Sequence, residues 1–94
     1  MHPTDFSIAM QRAVAALKAA GAREVYVFGS VAKGTAGEHS DVDLAVRGLP
    51  PHLYFQAMAA AHDALDHPLD LIDLDDENPF TRYLSEQGEL VRVG

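Results

Sequence analysis

The alternation of apolar and polar positions divides the chain into four kinds of stretch. From Thr4 to Ala20, Phe6, Met10, Ala13, Val14 and Leu17 return at helical spacing, which predicts an amphipathic first helix. Thr4 is placed to cap its start, and Gly21 follows where a left-handed stop belongs. Glu24 to Phe28 is a short β-branched and aromatic run that ends at Gly29, the pattern of a buried strand. Residues 41–46, Asp-Val-Asp-Leu-Ala-Val, alternate as a second strand and stop at Gly48-Leu49-Pro50-Pro51.

The second half repeats this grammar. His52 to His67 is alanine-rich, with Leu53, Ala57, Ala60, Ala61 and Leu65 expected on one side of a second long helix that Pro68 closes. Leu69 to Leu74 reads as a third strand, and Pro79 to Gln87 as a short last helix capped by Asn78. Glu89 to Val93 is expected to be an edge strand. Between the first two strands, Gly29 to Ser40 is too rich in glycine, serine and threonine for a long regular element, although one turn of helix is expected after Ser30. Strands alternating with helices call for an α/β fold. The first two strands are joined by a loop rather than a full crossover helix, which favours a mixed sheet of about four strands flanked by helices.

Composition narrows the picture. Ninety-four residues, 48% of them apolar, and no repeat or linker suit one domain spanning residues 1–94. A domain of this size buries a modest share of its surface, so self-association or a partner would add to its stability. With no cysteine there is no disulfide frame or zinc-thiolate site, and a cytoplasmic location is expected. The first twenty residues carry Asp5, Gln11, Arg12 and Lys18, which argues against a signal peptide or a spanning helix. Seven basic residues against fourteen acidic ones leave a net charge of −7, without the basic stripe that autonomous nucleic-acid binding requires.

Candidate chemistry lies where the pattern is broken. Asp is a poor strand residue, yet Asp41 and Asp43 open the second strand. Alternation points them to one face with Cα atoms about 6.5 Å apart. Two carboxylates in that space repel one another, and a hard cation such as Mg²⁺ would offset the repulsion while sharing its remaining positions with water and phosphate oxygens. Two such ions about 3.5 to 4 Å apart suit an in-line phosphoryl displacement. A third carboxylate would complete the metal shell or take the proton from the attacking hydroxyl. Asp70 comes first in the third strand, where that strand laid beside the second would bring it near Asp41 and Asp43; Asp73 competes, but has the opposite parity, so only one of them faces the site unless a bulge intervenes.

Gly29-Ser30 closes the first strand, and ten residues separate it from Asp41. Gly29 lets the backbone approach a triphosphate, and Ser30 offers a hydroxyl and the start of a helical turn. Lys33 can add a cation, and Ser40 can orient the strand that carries Asp41. The bland alternatives are a solvated Asp41/Asp43 pair at a turn, flexible-turn glycines at 34 and 37, and a solvated run of Asp73, Asp75, Asp76 and Glu77 leading to a helix cap. The five histidines lack metal-ligand spacing, and Tyr26 and Phe28 are expected in the core.

Residues 25–30, Val-Tyr-Val-Phe-Gly-Ser, and 40–44, Ser-Asp-Val-Asp-Leu, resemble the DNA polymerase β-type nucleotidyltransferases. The likeness is greatest to the minimal nucleotidyltransferases, the superfamily's shortest members, and covers nearly the whole chain. The resemblance implies the polymerase β-like fold, a nucleoside triphosphate substrate, and transfer of an AMP-type group from ATP with Mg²⁺ or Mn²⁺. By the same resemblance Asp41, Asp43 and Asp70 would hold the metals, and Gly29 and Ser30 the triphosphate. Many such proteins are antitoxins of a small helical HEPN-family ribonuclease, some by adenylylating a tyrosine on it, which implies a HEPN-type toxin as partner. Larger relatives carry a second domain to grip an acceptor. Without one here, an acceptor that brings its own surface is expected. The rival expectations are a binding module that neutralises its partner by occlusion, and a catalytic subunit that modifies a small molecule or RNA end with a separate acceptor-binding chain.

Overall fold

The computed structural model describes residues 3–29, 42–65, 68–87 and 90–94, with the backbone alone for 3–6. Its elements follow in the order α1 (Pro3–Ala19), β1 (Glu24–Phe28), β2 (Val42–Arg47), a 3₁₀ turn (Pro51–Leu53), α2 (Tyr54–Leu65), β3 (Leu69–Asp73), α3 (Pro79–Glu86) and β4 (Val91–Arg92). The strands form one mixed sheet in the order β3-β2-β1-β4. β1 is antiparallel to both β2 and β4, while β2 and β3 run parallel because α2 crosses between them. The expected mixed α/β sheet of four strands with flanking helices is therefore the fold.

Alternation along the strands sorts two cores onto opposite faces. Val25 and Val27 of β1, Val42, Leu44 and Val46 of β2, and Leu71 of β3 point to one face, where Ala13 and Leu17 of α1 and Ala57, Ala61 and Leu65 of α2 cover them. Phe28, Ala45 and Leu74 point the other way and meet Leu84 of α3, with Tyr26, Ile72 and Leu90 at the margin. The first core carries the larger burial: Leu17, Leu44, Leu65, Val25, Val42 and Val46 are fully enclosed.

The ends of the helices follow local chemistry. α1 begins at Pro3, so Thr4 lies inside its first turn and not at the cap. It stops at Gly21, whose φ of 123° is open to glycine and strained for other residues. Two expectations for α2 are corrected. Its start is a 3₁₀ turn, closed by the Leu53 amide, which donates to the Pro50 carbonyl at 2.9 Å. Ala60 is exposed, and the packed stripe runs through Tyr54, Ala57, Met58, Ala61, Ala64 and Leu65. At about 100° per residue, Ala60 stands roughly 100° from the centre of that stripe.

Asn78 caps α3 as expected: its Oδ1 accepts the amides of Phe80 and Thr81, each at 3.0 Å. Thr81 returns the contact by accepting the Asn78 amide at 3.0 Å, which closes a capping box. The expected final edge strand is shorter than the sequence suggests, Val91–Arg92.

Candidate active site

The acidic residues of β2 and β3 are positioned by strand register. Asp43 is opposite Phe28 of β1 on one side and Asp70 of β3 on the other. The adjacent registered pair, Ala45 with Ile72, belongs to the core beneath α3, so Asp43 and Asp70, two residues earlier on each strand, face that same side. Adjacent strands lie about 4.8 Å apart, which sets two carboxylates side by side across the ladder. Asp43 is half-buried and Asp70 exposed, so the pair sits at the rim of the sheet face, open to a ligand from solvent.

Asp73 takes the opposite parity. It is paired with Val46, whose side chain is in the core under α1 and α2. Its Oδ1 accepts the Asp75 amide at 2.9 Å, and Asp75 Oδ2 in turn accepts the Gly48 amide at 2.6 Å. Asp73 and Asp75 thus tie the turn after β3 to the end of β2, a structural use of carboxylates separate from the Asp43/Asp70 pair.

Gly29 lies against the same pair. Its φ is 72°, and a Cβ built on it would stand 2.4 Å from Oδ2 of Asp43. The backbone of residue 29 therefore occupies the space beside the carboxylate that a side chain would fill, and any other residue would have to displace Asp43. This close approach joins the end of β1 to the start of β2 beside Asp43. Of the other residues expected at the site, Ser30, Lys33, Ser40 and Asp41 lie outside the described residues, as does the helical turn expected after Ser30.

The donor set fits a hard divalent cation. Asp43 and Asp70 present carboxylate oxygens at one rim, the ligand type that Mg²⁺ and Mn²⁺ take, and Gly29 leaves the approach to them free of a side chain. Among the described residues no group of three His, Asp or Glu side chains is placed to hold a metal ion, and Asp41, the expected partner of Asp43, is not among them.

Two features of this face were not read from the sequence. Phe28 meets Phe80 of α3 edge-on with ring centroids 6.1 Å apart, which fixes the first turn of α3 beside the acidic row. At the far edge of β3, the Tyr54 hydroxyl donates to the Leu71 carbonyl. Burial raises the Tyr54 pKa above its ordinary value of 10.0, and the charges of Asp73 and Asp70 add to the shift. The helical spacing of Tyr54 with Ala57 and Ala61 could have signalled its packing, whereas its acceptor depends on the register of β3.

Residues 15–92 match the family profile described as Polymerase beta, Nucleotidyltransferase. The chain belongs to the polymerase β nucleotidyltransferase family. Among solved structures, this nucleotidyltransferase is similar to a protein designated a candidate minimal nucleotidyltransferase, with a TM-score of 0.78 at 25% identity over 99% of this chain and 97% of the other. It shares its fold with a chain of a toxin-antitoxin structure with AMP-PNP, at a TM-score of 0.71 and 23% identity over 88% of this chain and 70% of that one. A third fold match is to a structure of a tri-AMPylated Shewanella oneidensis HEPN toxin in complex with MNT antitoxin, with a TM-score of 0.65 and 20% identity over 92% of this chain and 69% of the other. A search of curated proteins gives no match.

For a nucleotidyltransferase the described geometry has a direct reading. The glycine at the end of β1 and the acidic residues of β2 and β3 are separate in sequence and adjacent in the sheet, as the mixed topology dictates. Among the described residues no helix is long and apolar enough to cross a membrane.

Proposed function

We propose that this nucleotidyltransferase is an adenylyltransferase that moves AMP from ATP to a hydroxyl on a partner protein, acting as the antitoxin of a HEPN-type toxin. The observation that carries the reading is the row formed by Gly29, Asp43 and Asp70 at one rim of the sheet. The likeness to toxin-antitoxin structures, one with AMP-PNP and one with an AMPylated toxin, supports ATP as the donor and a protein as the acceptor.

In this reading the acceptor oxygen bonds to the α-phosphorus of ATP as the bond from that phosphorus to the bridging oxygen breaks, and pyrophosphate leaves. Asp41, Asp43 and Asp70 would hold Mg²⁺, which when bound supplies positive charge at the phosphates. Gly29 admits the triphosphate close to the backbone, and Ser30 and Ser40 donate hydrogen bonds to it. Lys33 balances phosphate charge, and Asp70, the most exposed carboxylate of the described row, receives the proton of the acceptor hydroxyl. The cytoplasm, where ATP and Mg²⁺ are abundant, is the matching location.

The test is a transfer assay with α-labelled ATP, Mg²⁺ and the helical protein encoded beside this chain's gene. Label on that protein that disappears with Asp43→Asn is the expected result. Equal label from both forms refutes the assignment, and toxin neutralisation that survives Asp43→Asn without any label would replace transfer by occlusion.

A further inference from the structure

Beside the acidic row, a groove of about 650 Å³ opens along the outer edge of β3, between the start of α2 and the start of α3. Its walls are aromatic and aliphatic: Tyr54, Phe55, Leu71, Ile72 and Phe80. Phe55 is 75% exposed and Phe80 48% exposed, a large apolar area to leave in water on so small a protein. The rim is acidic, carrying Asp73, Asp75 and Asp76. Among the described residues no Lys, Arg or His pairs with these three carboxylates; the ion pair that is present, Arg92 with Glu24, stands at the opposite edge of the sheet.

The groove also limits how a partner can enter. Pro68 accepts from the Val42 amide and Leu74 donates to Val46, so the even-numbered residues of β3 face β2 and the odd-numbered ones face outward. On that outward edge the Tyr54 hydroxyl already holds the Leu71 carbonyl. A strand added there would lose its central acceptor, so the groove takes side chains rather than a new backbone ladder. A second copy of the chain fits poorly, because its net charge of −7 and its own acidic rim would oppose this one.

We propose that this groove docks an amphipathic basic helix of a protein partner, with apolar side chains seated between Phe55 and Phe80 and Lys or Arg residues against Asp73, Asp75 and Asp76. The proposal rests on the reading that the acceptor is a protein, and it assigns the surface that holds the acceptor apart from the carboxylates that modify it.

The test uses the full chain and a fluorescent synthetic helix with Leu on one face and Lys and Arg on the other, beside a counterpart with Glu in place of the basic residues. The basic helix is expected to bind at least tenfold more tightly than the acidic one and to weaken as salt rises. Phe55→Ser should weaken it at least tenfold. Asp76→Lys should weaken it at least fivefold more than Asp63→Lys, which makes the same change of net charge on the exposed face of α2, about 12 Å further along the helix. Unchanged helical circular dichroism spectra establish that the variants are folded. Asp43→Asn should bind the helix as the parent does. Binding that survives while transfer to every protein acceptor fails would sink the catalytic reading and leave the docking surface standing. Equal affinity for the acidic helix, equal effects of Asp76→Lys and Asp63→Lys, or self-association that Phe55→Ser abolishes would each overturn the proposal.

Discussion

The two faces of the sheet differ in what they enclose. Under α1 and α2, nine of the described side chains, Leu17, Leu44 and Leu65 among them, are fully buried, and strand alternation is unbroken except at Asp73, near the end of β3. Under α3 the buried set is Phe28, Ala45, Leu74 and Leu84, and the row stops at Asp43 and Asp70. Among the described residues, a short helix over this face covers only part of it, and the carboxylates stand at the part beyond that helix. Stability is concentrated on the first face, so the second can tolerate like charges side by side that a packed core could not hold.

The sharpest way to break this division is Leu44→Ala. Leu44 is fully enclosed on the first face although it directly follows Asp43 in the chain. The expected loss is about 3 kcal/mol, read from denaturant unfolding. In a chain of 94 residues that leaves little margin, so nucleotide binding should fall together with the fold.

Asp43→Asn probes the second face. Transfer should fall by about 100-fold or more while the unfolding midpoint moves little. An unfolding shift as large as that of Leu44→Ala would erase the distinction between the faces. Asp73→Asn supplies the contrast within β3, with Mg²⁺-dependent ATP binding within about twofold of the parent and a stability cost of about 1 kcal/mol from the weakened turn.

Gly29→Ala lies between the faces. A methyl group 2.4 Å from the Asp43 carboxylate, on a backbone with φ of 72°, should cost about 1 to 2 kcal/mol of stability. Its effect on Mg²⁺-dependent ATP binding, measured by calorimetry, should exceed that loss, because the displaced carboxylate is a metal ligand in the proposed function.

The smallest effect is expected at Tyr54→Phe, about 1 kcal/mol from the lost hydrogen bond to Leu71. Tyr54 also gives a pH signature. Its folded pKa is raised, so its contribution is fully present below the unfolded value of 10.0 and is lost as pH rises through the folded value. The parent should therefore lose stability above pH 10 more steeply than the variant, which equilibrium unfolding in alkaline buffers would measure.

Local patterns carried much of this into the sequence. β1 was legible to the residue because an apolar run meets a glycine, and Asn78 because a polar cap precedes Pro79. Asp70 is favoured over Asp73 as the neighbour of Asp43 because it comes first in the strand, and parity allows only one of them on that face. Which one depends on the pairing of β3 with β2, a contact between segments more than twenty residues apart that no local pattern records. Ala60 misled for another reason. In an alanine-rich helix the apolar stripe is drawn by a few larger residues, and Ala60 carries too little side chain to reveal its direction. The hydroxyl contact of Tyr54 is a product of tertiary placement, whereas Thr81, three residues after Asn78, completes a local capping box.

The parallel register of β2 and β3 has a consequence for change in this chain. Lengthening the surface connections would leave the facing carboxylates where they are, since the ladder itself aligns Asp43 with Asp70. One residue inserted inside β3 just after Asp70 would do the reverse. With the rest of the strand held in place, it would rotate this acid through half a turn, toward the oily side of the sheet, and bring the leucine ahead of it to the rim. The enzyme's tolerance of length is thus set by where a residue is added, and the strand is the one place with no slack.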